Sequence, residues 1–432
     1  MKILKAAGCF LLIVFLLACA GCGQKRVYLM PAPVAIQPDS NFFKPTESDN
    51  TGNRLLTLYA TNRIPFNMTE TTQSYSIFPS DDLRMGYCIH SVGDEDMSWM
   101  ELYEMSLRKT RQKDLRINLE FNREIVQFDE EQDIKELLPG QKEFFKTINA
   151  ILERKADKDI TVYVHGANSN FYRATAQGAQ YFHFTGHNSI VINFSWPSAE
   201  NIFKYKVDVL HARKTVPAFA RLIEILALHT HAKNIDIIAY SAGAQVAAPA
   251  LLLLRDQQLV AEPEEIRERL RIGEVYFAAP DIDMESFAFR YHRFKDIVKR
   301  TTISINVNDS TLRYSSLASG KARLGRPLGG EISIAEETIF SNASATESLN
   351  IIDIQGSTAL EAGKSHSFWY SHPWVSTDLL MLMLFNLPPD QRGLTRHTVE
   401  NDLVIYRFPE NYEEKIEEQI KMMEAQAYLK SR

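Results

Sequence analysis

A serine at a strand-to-helix turn, an aspartate closing a later strand and a histidine in a still later loop have the types and order for nucleophilic chemistry. The serine is Ser241. Residues 234–248 read NIDIIAYSAGAQVAA: a β-branched run, then Ala239-Tyr240-Ser241-Ala242-Gly243, then small and apolar residues of helical character. Such a turn strains the serine backbone and presents its hydroxyl, and it needs small residues two before and two after the serine. Gly243 meets this need, and Ala239 stands where the G-x-S-x-G pattern has its first glycine. A serine becomes nucleophilic when a base takes its proton and an acid holds the base in one tautomer. In the order nucleophile, acid, histidine, the candidates are Ser241, Asp309 and His366. Asp281 and Asp283, one strand earlier, rival Asp309. His372 rivals His366, although Pro373 behind it points to a structural place at a helix start. The oxyanion of an acyl-transfer transition state needs two backbone N–H groups. Ala242, next to the nucleophile, and Ala167, after Gly166, are the expected donors. His165 is expected to brace its loop, and Asn168, Tyr240 and Trp196 are candidates to line the pocket.

These residues need a frame that gathers strand ends. From 139 onward the chain alternates helical and extended patterns. Residues 141–154 place Phe144, Phe145, Ile148, Ile151 and Leu152 on one helix face. Strands are expected at 159–164, 189–194, 235–240, 273–278, 301–307 and 349–354, the last taken as the final strand. Helices are expected at 172–185, 204–229, with Pro217 inside it, and 374–387. Strands separated by helices mean an α/β class with a doubly wound, mostly parallel sheet, whose functional groups collect at the C-terminal strand ends. Before this lies an antiparallel start: strands at 55–61, 85–92 and 115–121, a helix over 97–108, and a loop over 64–80. Residues 412–429 space Tyr412, Ile416, Ile420 and Met423 along one face, as in a charged helix docked on the surface.

The chain has 432 residues, 45% hydrophobic and 24% charged, with a net charge of −6. These are globular values, and no basic excess calls for nucleic acid. No P-loop, G-x-G-x-x-G or H-E-x-x-H occurs, so neither cofactor nor metal is expected. Lys2 and Lys5 precede an apolar run over 6–20, shorter than the ~20 residues of a membrane span and suited to a signal peptide. Its end, LLACAGC, resembles a bacterial lipobox, in which a cysteine receives fatty acyl chains such as palmitate. Cys22 after Ala20-Gly21 is the preferred site and Cys19 the alternative. Of four cysteines only Cys88 lies beyond this leader, which leaves no internal disulfide framework. The expected organisation is a signal peptide over 1–21, a Pro- and Asn-rich flexible tether over 22–53, a catalytic domain over 54–408 and the charged helix over 409–432.

The chain from about 55 to 387 resembles the α/β-hydrolase superfamily, and within it a bacterial esterase/lipase-like branch filed as domain of unknown function 900. The pieces that carry this are Tyr59-Ala60-Thr61-Asn62-Arg63, Val164-His165-Gly166-Ala167-Asn168, Phe194-Ser195-Trp196-Pro197-Ser198, Tyr240-Ser241-Ala242-Gly243, Ala279-Pro280-Asp281-Ile282-Asp283, Asn308-Asp309-Ser310 and Ser365-His366-Ser367-Phe368. The resemblance implies Ser241, Asp309 and His366 as the triad. It departs at Tyr240, where the branch usually has histidine, and at Ala242, where a larger residue is common. The resulting expectation is a membrane-tethered serine hydrolase of the bacterial cell envelope, acting on ester or acyl small molecules or lipids. Epoxide and haloalkane hydrolysis would need an aspartate at the turn. The alternatives are a non-catalytic envelope lipoprotein and an acyltransferase acting on lipid or glycan.

Overall fold

The structure, a computed structural model, describes residues 26–37, 52–108, 111, 113–201, 204–258, 261–327, 333–355 and 366–430. The expected signal peptide, Cys19, Cys22, tether residues 38–51 and loop residues 363–365 lie outside these. In chain order the elements begin with β1 (Val27–Tyr28), β2 (Arg54–Met68), β3 (Gln73–Val92), α1 (Trp99–Leu107) and β4 (Arg116–Phe128). The alternating part follows as α2 (Pro139–Arg154), β5 (Ile160–Val164), α3 (Phe171–Phe184), β6 (Ile190–Phe194), α4 (Tyr205–His229) and β7 (Ile235–Tyr240). A single turn at Ser241–Gly243 leads to α5 (Ala244–Asp256), α6 (Pro263–Leu270), β8 (Ile272–Ala278), α7 (Met284–Phe294) and β9 (Val298–Ile305). The chain closes with α8 (Ser310–Ser319), α9 (Ile334–Ala345), β10 (Leu349–Asp353), α10 (Phe368–Ser371), α11 (Pro373–Phe385), β11 (Thr395–Thr398), β12 (Val404–Arg407) and α12 (Tyr412–Lys430).

One twelve-stranded sheet holds these strands in the order β1-β4-β3-β2-β6-β5-β7-β8-β9-β10-β12-β11. From β2 through β12 neighbouring strands run parallel, while β1, β4 and β3 at one edge and β11 at the other pair antiparallel. The central strands are buried along their whole length (ITVYV, IVINF, IDIIAY), because helices cover both faces. The alternation is visible on β7. Ile235, Ile237 and Ala239 enter one core with α2, α4 and α5, and Ile238 and Tyr240 enter the other with α3 and α11. This is the expected doubly wound α/β architecture with an antiparallel start. No helix among the described residues is long and apolar enough to cross a membrane.

Three expectations change. Residues 64–80 are not a loop: β2 and β3 continue through them as a hairpin with register shifts between Thr61 and Asn67. Apolar alternation fails there because Ile64, Phe66, Met68 and Phe78 stay exposed. The strand at 349–354 is not the last, since β12 adds beside β10 and β11 beside β12. Residues 26–37 are docked rather than flexible. Val27 pairs with Ile117, the Val27 amide donates to the Tyr172 hydroxyl (3.1 Å) and the Met30 amide to Gln180 Oε1 (3.1 Å). Leu29, Met30, Ala35 and Ile36 are buried, and Arg111 donates to the carbonyls of Leu29 and Met30. The prolines of this stretch mask an apolar content sufficient to fill a core. At the other end, α12 buries Tyr412, Ile416 and Ile420, with the Tyr412 ring 5.2 Å from Trp374 and 4.9 Å from Phe408.

Candidate active site

The centre of the parallel sheet ends in three tight reversals. Asn168 after β5, Ser241 after β7 and Ala279 after β8 all have positive φ (56°, 52° and 45°). Only glycine takes this backbone region without cost, so their clustering at one sheet edge marks stored strain. The Ser241 turn is braced by its carbonyl, which accepts the Asp281 amide (3.0 Å). Gly243 is required by its surroundings, since a Cβ there would lie 2.6 Å from the Val164 carbonyl oxygen and 2.8 Å from that of His165. Gly166 likewise makes room, for a Cβ there would stand 3.0 Å from the Ser241 Cβ. Ala239 is fully buried in the core, in register with Val164 and Phe277. The methyl that departs from the G-x-S-x-G pattern is therefore absorbed by packing, away from the close backbone approach that Gly243 makes.

Ser241, His366 and Asp309 come together. The Ser241 hydroxyl lies 2.7 Å from His366 Nε2, and His366 Nδ1 lies 2.6 Å from Asp309 Oδ2. A carboxylate only accepts, so Nδ1 carries the proton and Nε2 offers its lone pair to the serine. Asp309 is fully buried and its second oxygen accepts the amides of Thr311 and Leu312 (2.9 Å each) at the start of α8. This makes Asp309 the N-cap of α8, at the end of the helix where unpaired backbone N–H groups point outward. The His366 side chain keeps 13% exposure, which leaves the serine–histidine end open to solvent. Its ring is flanked by Tyr240 at 5.4 Å, and Tyr240 in turn meets Trp369 (6.0 Å) and Tyr370 (5.8 Å). Ala242, buried, directly follows the serine, and Ala167 sits in the loop of Gly166. Among the described residues the Ala167 amide donates to no other group.

The rival groups are engaged elsewhere. Asp281 accepts from Ser315 Oγ (2.7 Å) and pairs with Arg323 (3.3 Å). Asp283 caps α7 through the Ser286 amide, and His372 accepts the Trp374 amide at the start of α11. His165 is fully buried, its ring nitrogens 2.7 Å from the Gly166 carbonyl and 3.1 Å from that of Trp196. Burial holds its pKa down to about 3, with the Arg63 charge adding to the effect. Trp196 does not line a pocket: it is wholly buried, stacked on His165 at 5.1 Å, with its Nε1 donating to the His165 carbonyl.

Two residues that hold these loops carry no recognisable sequence signal of that role. Arg63, fully buried, donates through Nε to Ser195 Oγ (3.1 Å) and through its terminal nitrogens to the carbonyls of Ser169 (2.8 Å) and Ser76 (3.1 Å). Burial lowers its pKa to about 10, opposed by the charges of Glu200 and Asp208. Asp208 accepts the amides of Asn168 and Ala199 and the Ser198 hydroxyl, so one buried carboxylate ties the loop after β5 to that after β6. In the sequence Arg63 figures only as the last residue of the piece Tyr59-Ala60-Thr61-Asn62-Arg63.

A family model described as an alpha/beta hydrolase of unknown function (DUF900) matches residues 141–382. That span exceeds half of the chain, and the chain belongs to this family. No curated protein and no solved structure matches it.

Proposed function

We propose that this α/β hydrolase cleaves carboxyl esters through an acyl-enzyme on Ser241. The observation that carries the reading is the relay from Ser241 Oγ through His366 to Asp309, with both links at hydrogen-bond distance and the serine on a strained turn. His366 Nε2 takes the Ser241 proton as Oγ attacks the ester carbonyl. The negative charge that develops on the carbonyl oxygen is held by the amides of Ala242 and Ala167. His366 then passes its proton to the departing alcohol, and a water activated by the same nitrogen releases the acid. Asp309 stays ionised throughout and steadies the imidazolium. We place the protein in the bacterial cell envelope, anchored by acyl chains on Cys22, with Cys19 the alternative, and working on ester-bearing small molecules or lipids.

A fluorophosphonate probe tests the chemistry. The full chain is expected to be labelled at Ser241, and Ser241→Ala to be unlabelled and to lose ester hydrolysis by about 10⁴-fold or more. Absence of labelling in the wild-type chain, or equal labelling of the Ser241→Ala variant, rejects the reading.

A further inference from the structure

One turn of α5 beyond Ser241 stands Gln245, whose Nε2 donates to the Asp281 carbonyl (2.7 Å) and to the Tyr205 hydroxyl (3.0 Å). Because the Asp281 amide also donates to the Ser241 carbonyl, Gln245 and the serine turn are joined through Asp281 in one hydrogen-bonded scaffold. On its outer side Gln245 forms part of the wall of an open cavity of about 550 Å³ between the start of α4, α5, the start of α7 and the segment 319–323. That volume falls in the range of small-molecule sites.

The cavity has two kinds of wall. Val209, Leu210, Pro249 and Ile282 give it an apolar side. Lys206, Arg213, Arg290, Lys321 and Arg323 give it a cationic one, in a chain whose net charge is −6. Part of this charge is spent locally: Arg323 pairs with Asp281, and Lys321 with Asp283 and Glu285. Lys206, Arg213 and Arg290 form no ion pair among the described residues. Arg290 donates to the Ser286 carbonyl, but its Nε is buried without a hydrogen-bond partner, whereas the Nε of Arg323 faces the Asp281 carboxylate. Burial lowers the Arg290 pKa; Asp283 opposes this and the nearby Arg213 charge adds to it. Arg213 and Arg290 thus line one cavity without an ion pair among the described residues, Arg290 keeps an unused donor, and their mutual repulsion is one that an anion between them would relieve.

We propose that this cavity binds the anionic end of an amphiphile, a phosphate or carboxylate on an apolar arm, and that it selects esters bearing such a group for Ser241. The cationic wall takes the anion, and the Val209–Leu210–Ile282 side takes the adjoining hydrocarbon. The selection of esters rests on the hydrolase reading above, whereas the binding site itself does not.

Calorimetry on the full chain with octyl phosphate, inorganic phosphate and octanol separates the two walls. Octyl phosphate is expected to bind at least tenfold more tightly than either of the others. The double variant Lys206→Glu/Arg213→Glu, at two exposed positions, is expected to weaken it at least tenfold. Inorganic phosphate binding as tightly as octyl phosphate would reject the amphiphile, and equal affinity in wild type and variant would reject the site. For selection, kcat/KM is compared between p-nitrophenyl butyrate and a p-nitrophenyl hemi-ester of a dicarboxylic acid. The variant should lose at least tenfold on the charged ester, stay within twofold on the neutral one and keep its fluorophosphonate labelling. Equal losses on both esters overturn the selection even when Ser241 is labelled. If Ser241 is not labelled but octyl phosphate binds and the variant abolishes it, the site stands and the hydrolase reading falls.

Discussion

Two groupings of serine, histidine and aspartate share the C-terminal edge of this sheet. In one, Ser241, His366 and Asp309 bond side chain to side chain, and the histidine keeps contact with solvent. In the other, His165, Ser198 and Asp208 are fully buried and turn mainly to the backbone. His165 faces two carbonyls, and Asp208 collects two amides and the Ser198 hydroxyl. The same residue types therefore do opposite things. Where the partner of a histidine is a hydroxyl on a strained turn, a proton has somewhere to go. Where its partners are peptide carbonyls in a sealed interior, the ring holds two loops in place. What the polar atoms face, not their identity, separates chemistry from scaffolding.

The sharpest way to break this comparison is to make the same change in both groupings. Asp309→Asn keeps an oxygen for the Thr311 and Leu312 amides, so urea unfolding should move by less than about 1 kcal/mol. It offers His366 an amide in place of the carboxylate, and ester hydrolysis should fall by about 10⁴-fold through the wrong tautomer. In Asp208→Asn three donors meet a single oxygen and an N–H₂ group. Stability should drop by about 1–3 kcal/mol in urea titration, with activity following the folded fraction. A reversal of these two patterns would mean that the roles have been exchanged.

A third effect lies in the pH dependence. His165 and His90 are both held neutral by burial, with pKa values near 3, below the 6.5 of an unconstrained histidine. The unfolded chain binds these protons as pH falls through 6.5, while the folded one does not bind them until about pH 3. Their share of stability is thus complete above pH 6.5 and is lost between 6.5 and 3, by up to about 1.4 kcal/mol per pH unit for each. Denaturant midpoints at pH 7, 6 and 5 should trace this decline, and His165→Gln should make it shallower. An unchanged slope in that variant would show that His165 binds its proton alike in both states.

The parallel core is readable because β5, β6 and β7 each have a compact apolar run with a polar residue directly after it (His165, Ser195 and Ser241), and β8 to β10 follow at the same helix-separated spacing. The same regularity picked out Ser241, Asp309 and His366, whose order along the chain follows from topology. What escaped was set by long-range packing. Nothing in the residues around Arg63 announces that its guanidinium will reach Ser195 and Ser169. The hairpin through 64–80 lacks a buried face of regular period, so β-patterning fails although pairing persists. The late strands β11 and β12 are short, and β11 alternates half-buried and exposed residues. Residues 26–37 hide five buried apolar side chains among prolines.

That docked stretch changes how far the protein can reach. A free tether from Cys22 to Arg54 would extend to roughly 110 Å, and the domain could search a deep layer of solvent. With Val27 fixed beside Ile117, the chain from Cys22 spans at most about 17 Å. A body of this size has a radius of gyration of about 21 Å, so an anchor at Cys22 would be a leash shorter than the object it holds. Anchored as proposed, the enzyme would meet its substrates as a surface-bound patrol moving in two dimensions, and the edge carrying β1 and β4 would ride closest to the lipid.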